Sequence, residues 1–264
     1  MLGAITGDLV GSRFEFKNIK SKDFEFFHPN CRLTDDSYMT FAVCKAFLDH
    51  LENGDDLDSA LVTNMQNIGR KYPNAGYGNH FFRWLNSENP QPYNSYGNGS
   101  AMRVSPVVYL YDDLDEILKA AEKSAQVSHN HPEGIKGAQA IAGAAFLARQ
   151  GKLKNEIKNF AKQFYNLDFT LNEIREDYRF YVTCQQSVPQ AIVAFLEGND
   201  FEDVIRNAIS IGGDSDTIAA MAGTIAESFF NVNEDIENRV LSYLPDDLMK
   251  IYERYINFLN SKIS

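Results

Sequence analysis

Positive charge is scarce in this chain of 264 residues. Lysine and arginine number 25 against 36 aspartates and glutamates, a formal net charge of −11. That balance argues against a nucleic-acid surface, which needs basic residues to replace the counterions of phosphate. It also sets a puzzle for any phosphate-bearing ligand, one that bound divalent cations would relieve. Cysteine is sparse too. Cys31, Cys44 and Cys184 are odd in number, which suggests neither a disulfide framework nor a zinc site and fits a reducing compartment. No apolar run approaches the ~20 residues of a membrane span. The stretch MLGAITGDLVGSRFEF has no basic segment and carries Asp8, so it does not read as a secretory leader. A cytoplasmic protein with no membrane partner is expected. Strand-like alternation, hairpin signals, linkers, low-complexity tracts and internal repeats are all missing, so one domain is expected over 1–264.

What the chain does have is helical periodicity. Met39, Ala42, Val43, Ala46 and Phe47 mark a helix over 37–52. The pattern returns over 57–72, 113–128, 133–150, 154–166, 188–198, 200–210, after Asp214, and over 245–260. Pro189 suits the first turn of its helix. Two segments, GAQAIAGAAFLA and IAAMAGTIA, are rich in small residues, which lets helix axes approach closely. They read as the central helices of a bundle. The expected fold is all-α, a single compact orthogonal multi-helix bundle. Loops stand out over 17–33 and 86–100, and loops of that length are often functional.

Two acidic clusters open buried helices. SIGGDSDT (210–217) holds Asp214, Asp216 and Thr217, and LTDDS (33–37) holds Thr34, Asp35 and Asp36. One aspartate at such a place is explained by capping and by the helix dipole. Two clusters of like composition offer six oxygen ligands, and without nearby Cys or His these suit Mg²⁺ or Mn²⁺ rather than zinc. Asp8 reads as an exposed polar position on an amphipathic helix, and Glu15 as a solvated surface acid. SYGNGSAMRVSPV (95–107) is glycine-spaced, and backbone N–H groups in such a loop can hold phosphate. It matches neither a P-loop nor a Rossmann fingerprint. Arg103 reads as one half of a structural ion pair. His129 and His131 lie two apart, which places them on different helix faces and suits a cap or a packed loop.

In order and context, GAITGDLVGSRFE (3–15), LTDDS, SYGNGSAMRVSPV, SHNHPEGIKGA (128–138) and SIGGDSDTIAAMAG (210–223) resemble the ADP-ribosylglycohydrolase family, of the dinitrogenase reductase-activating glycohydrolase and ADP-ribosyl hydrolase type. The resemblance spans nearly the whole chain. It implies an all-α fold with a binuclear Mg²⁺ or Mn²⁺ centre in a central cleft. It implies that Thr34, Asp35 and Asp36 ligate metal from one side and Asp214, Asp216 and Thr217 from the other. Glu15 matches an acid beside the metals and, with Asp35 and Asp36, is assigned to catalysis. Ser95, Gly97, Asn98 and Gly99 match a loop contacting phosphates and ribose, Tyr96 a residue stacking near adenine, and His129 a histidine of the ligand cleft. The implied activity is hydrolysis of the glycosidic bond between ADP-ribose and a modified side chain or small-molecule acceptor. A monomer acting on an ADP-ribosylated protein is expected. The usual Thr-Asp-Asp-Thr is Thr-Asp-Asp-Ser here, which keeps the hydroxyl. The chain is also short for the family. Two alternatives stay open: a metal-dependent nucleotide phosphohydrolase, and a non-catalytic ADP-ribose-binding or immunity module.

Overall fold

Every residue of the first helix, α1 (Leu2–Gly11), is buried, Asp8 included. A helix covered on all sides runs through the middle of a fold, not along its surface. The computed structural model describes residues 1–263. After α1 come α2 (Asp35–Asn53), α3 (Leu57–Lys71), α4 (Asn79–Leu85) and α5 (Gly99–Met102), then a 3₁₀ segment, Ser105–Tyr109. The chain continues through α6 (Leu114–Gln126), α7 (Pro132–Arg149), α8 (Lys154–Ala161), α9 (Leu171–Ile174) and α10 (Cys184–Glu197). It ends with α11 (Phe201–Ser210), α12 (Ser215–Phe230), α13 (Glu234–Leu241) and α14 (Asp246–Ile263). The described residues contain no strand; an isolated antiparallel bridge joins Gly97 to Thr183. The fold is all-α, as the periodicity indicated.

Small residues set the central packing. A β-carbon on Gly3, Gly7 or Gly11 would lie 2.1 Å from Gly223 O, 2.2 Å from Ala219 C and O, or 2.5 Å from Asp216 Cα, respectively. No real side chain tolerates such distances, so α1 and α12 meet backbone to backbone. At Gly137 the backbone of α7 receives side chains of α10, with Cys184 Sγ 2.5 Å from where a β-carbon would stand. One continuous apolar core surrounds these helices, and Ile5, Leu9, Phe41, Phe47 and Phe195 are fully buried in it. Cys31, Cys44 and Cys184 are free thiols and buried. No helix among the described residues is long and apolar enough to cross a membrane.

One local expectation is corrected. Helix α10 begins at Cys184, so Pro189 lies inside it rather than in its first turn. Pairing with a distant loop starts the helix early: Cys184 N donates to Tyr96 O at 3.0 Å, and Asn98 N donates to Val182 O at 2.9 Å. The helices α4, α5, α9 and α13 had no expectation at all. Four to eight residues give a 3.6-residue period little room to register.

Candidate metal centre and cleft

Helix α2 starts on a carboxylate borrowed from another helix. Thr34 is its extended N-cap residue. Its backbone N donates to Asp8 Oδ2 at 2.9 Å and its hydroxyl to Asp8 Oδ1 at 2.5 Å. Ser37 N donates to Asp8 Oδ2 at 3.1 Å, and the Ser37 hydroxyl donates to the same oxygen. Asp8 is thus fully buried and fully engaged, not an exposed position on an amphipathic helix. A buried carboxylate is tolerable only with such partners, and free N–H groups at a helix start supply them. Its signal in the sequence was indirect: the glycine at every fourth residue of α1 marks a helix pressed close to a neighbour, and so one buried on more than a single face.

The second cluster is shaped by a left-handed turn. Gly212 and Gly213 have φ of +69° and +76°, a conformation costly for other residues. Asn18 locks this turn, accepting from Gly213 N at 2.8 Å and donating to Gly213 O at 2.9 Å. Asp214 occupies the N-cap position of α12, but its side chain makes no capping bond. Its Oδ2 instead accepts from Asn98 Nδ2 at 2.7 Å. Capping therefore does not explain this acid. Thr217 Oγ1 then joins the clusters by donating to Asp36 Oδ2 at 3.0 Å.

The carboxylates converge in two sets. Asp8, Asp36 and Asp216 each place an oxygen within 4.8 Å of the others, and so do Glu15, Asp214 and Asp216. Asp216 belongs to both sets. Asp36 Oδ1 is buried and has no hydrogen-bond partner. None of the ion pairs among the described residues involves any of these acids. Burial, followed by repulsion from neighbouring carboxylates, holds Asp35, Asp36 and Asp216 well above the ordinary aspartate range. Burial also raises Asp8 and Asp214, against the pull of their hydrogen bonds. Glu15 is pushed to about 7, by burial first and by Asp214 next, with Arg32 opposing. Acidic groups that could hold a metal ion are therefore present. Asp35 lies at their edge, half-buried, with its N–H on Ala75 O at 3.0 Å. The Thr34 hydroxyl is committed to Asp8.

These groups open onto a cleft of about 590 Å³. Glu15, Asp35, Asp36, Asp214, Asp216 and Thr217 line it, together with Ser95, Gly97, Asn98, Gly99 and His129. Tyr96 does not. It is half-exposed, and its ring meets the edge of His131 at 5.4 Å. The aromatic lining comes instead from Phe16, Phe81, Tyr93 and Phe180. Phe16 and Phe180 stack at 5.9 Å although both are exposed; nothing in their sequence neighbourhoods paired them. Arg103 is not in an ion pair. It is fully buried and donates to Ser124 O at 2.8 Å and Ser128 Oγ at 2.9 Å. His131 caps α7, accepting from Glu133 N at 3.0 Å.

The chain as a whole is similar to known proteins. A solved structure titled "ADP-ribosylglycohydrolase-related protein complex" superposes with a TM-score of 0.68 at 21% identity, covering 96% of this chain and 95% of that one. At that identity the likeness speaks for the fold. The chain is also similar to ADP-ribosylhydrolase ARH3 of Gallus gallus, 28% identical over 87% of this chain and 84% of the relative. The Homo sapiens protein of that name is 26% identical, with 89% and 85% covered. The family model described as ADP-ribosylglycohydrolase matches residues 1–257, and the chain belongs to that family.

Proposed function

We propose that this cleft hydrolyses the glycosidic bond between ADP-ribose and an acceptor, either a modified protein side chain or a small molecule. The observation that carries the reading is the pair of carboxylate sets sharing Asp216, with Asp36 Oδ1 left unpartnered beside them. Six acids without a paired cation fit divalent ions, and an all-oxygen donor set suits Mg²⁺ or Mn²⁺. In this reading two such ions are held between the helix starts, by Thr34, Asp35 and Asp36 on one side and Asp214, Asp216 and Thr217 on the other, with Asp8 and Glu15 close by. When bound, the ions would neutralise the acids and polarise oxygens of water and of the ribose.

The chain's own groups do the rest. Thr217 and Asn98 fix the directions of Asp36 and Asp214. In the reaction the bond from ribose C1 to the acceptor breaks, a water oxygen bonds to C1, and a proton passes to the acceptor. Glu15 lines the cleft, its pKa is raised to about 7, and in this reading it gives or takes that proton. Ser95, Gly97, Asn98, Gly99 and His129 offer polar groups for the diphosphate and ribose. The aromatic walls offer flat faces and keep water out. Tyr96 would reach adenine only by turning from His131 toward the cleft. The whole described chain acts as one domain in this reading. The names of the curated relatives support the hydrolase activity.

The test is to incubate the protein and Mg²⁺ or Mn²⁺ with arginine-, serine- and O-acetyl-linked ADP-ribose and weigh the products. Intact ADP-ribose from one of them is expected. Release of AMP or phosphate would replace the reading with a phosphohydrolase, and binding without turnover would replace it with a binding module.

A further inference from the structure

His129 is 5% exposed, and what it exposes faces the cleft. Its two ring nitrogens have different surroundings. Nδ1 lies 2.8 Å from Ser128 Oγ. Nε2 lies against the glycine loop, 3.0 Å from where a β-carbon of Gly99 would stand and 3.6 Å from that of Gly97. Nε2 has no hydrogen-bond partner among the described residues. A neutral imidazole carries one proton, and the partner of one nitrogen decides which nitrogen holds it.

The partner here is itself constrained. Ser128 Oγ has two partners, His129 Nδ1 and Arg103 Nη2, the latter at 2.9 Å. A guanidinium can only donate. Ser128 Oγ therefore accepts from Arg103. Accepting from Nδ1 as well would leave the Ser128 proton buried without an acceptor, so the arrangement that satisfies every group gives that proton to Nδ1. Nδ1 then accepts, and the imidazole proton sits on Nε2. Arg103 cannot easily turn away, being fully buried, without a carboxylate, and held by Ser124 O at 2.8 Å. Ser128 is anchored as well. Its N donates to Ala125 O at 3.2 Å, and its O accepts from Tyr93 N at 3.2 Å. Burial, then the field of Arg103, holds the His129 pKa well below its ordinary value, so the ring stays neutral.

We propose that Arg103 and Ser128 are positioning residues that fix His129 as its Nε2–H tautomer, giving the cleft one neutral donor aimed at an acceptor oxygen of the ligand. The identity of that oxygen, on the diphosphate or a ribose of ADP-ribose, rests on the function proposed above; the tautomer does not. A cation at this place would bind any anion without regard to direction. A neutral N–H held from behind selects an acceptor at one angle and distance. The absence of a β-carbon at Gly99, which would stand 3.0 Å from Nε2, gives the ring the room to stand there.

The experiment uses the full chain with ¹⁵N-labelled histidine. Long-range ¹H–¹⁵N spectra report which ring nitrogen is protonated, and His129→Gln identifies the His129 signals among the five histidines. The wild-type protein should show a protonated Nε2 and an unprotonated Nδ1 near neutral pH. Ser128→Thr, which keeps the hydroxyl, should preserve that spectrum. Ser128→Ala should mix the tautomers and weaken calorimetric ADP-ribose affinity, with Mg²⁺ present, by about tenfold, the worth of one directed hydrogen bond. A wild-type spectrum with the proton on Nδ1 overturns the proposal, and it does so even if Ser128→Ala does not fold. Mixed tautomers in Ser128→Ala with unchanged affinity also overturn the donor role. The expected tautomer in a protein that binds no ADP-ribose would uphold the relay and remove ADP-ribose as the ligand.

Discussion

Asp216 stands in both carboxylate sets, so its charge meets the others from two sides. Asp216→Asn is expected to abolish turnover and to leave the protein folded. Removing one of several mutually repelling buried charges should also stabilise the metal-free protein, by about 1 kcal/mol or more. Capping would forecast the reverse, a mild loss of stability with activity kept. Melting temperature and rate, measured on the same metal-free and metal-loaded samples, separate the two. The raised pKa values set a pH dependence with a definite sign. A carboxyl whose folded pKa exceeds its unfolded value binds more protons when folded. Its contribution is complete below the unfolded value and is lost as pH rises through the folded one. Asp36 and Asp216 are raised, and Glu15 reaches about 7. Metal-free protein should therefore melt higher at about pH 5 than at about pH 8, and divalent cations should narrow that gap. A metal-free melting temperature that rises across this interval would contradict the assignment. Glu15→Gln keeps the shape but not the proton. Its kcat should fall by about 10²–10⁴, with ADP-ribose affinity much less changed. Excess Mg²⁺ that restored the rate would make Glu15 a ligand instead, and a wild-type rate would make it a bystander.

Among the helices, the pairing of α1 with α12 matters most to the site. Gly11 against Asp216 Cα brings the end of α1 to the acidic start of α12. Asp8, one turn earlier, holds the start of α2. One helix therefore sets the distance between both clusters. Gly7→Ala puts a methyl carbon 2.2 Å from the Ala219 backbone. Overpacking of this kind costs about 1–3 kcal/mol, and contact with backbone belongs at the upper end. Denaturant titration should show that loss, together with weakened divalent-ion binding because the clusters part. Gly78→Ala is the control for stability, since a methyl there meets nothing within 4 Å. Equal stability of the two variants would mean that α1 and α12 have slack.

For the molecule as a whole, a net charge of −11 and an uncompensated acidic centre make folding and ion binding one equilibrium. Any ligand that binds only the folded state stabilises it, by ~2.7 kcal/mol at a hundred times its dissociation constant. Activity should vanish with chelator and return with Mg²⁺ or Mn²⁺, and the melting temperature should rise with the ion. Full activity in a sample shown to be metal-free would remove the divalent ions from the proposal.

Much of this was legible in the residues. Long helices announce themselves because an apolar face repeats every 3.6 residues, so α2, α3, α6, α7, α11 and α14 were seen within a few residues of their ends, and α12 at its start. The two acidic helix starts were visible because carboxylates before a buried run are costly and call for a reason. Other features needed the fold. Asp8 looked exposed because its partners, Thr34 and Ser37, are 26 and 29 residues away. Arg103 looked paired because a buried guanidinium usually finds a carboxylate, whereas here it finds carbonyls and a hydroxyl. Tyr96 sits next to cleft residues in sequence yet turns its ring to His131, and Phe16 and Phe180 meet from loops far apart. Local pattern fixes what a segment becomes, since a helix is made of near neighbours. Which carboxylate faces which, and which nitrogen of His129 is free, depend on contacts between residues distant in sequence, and only the packed helices decide those.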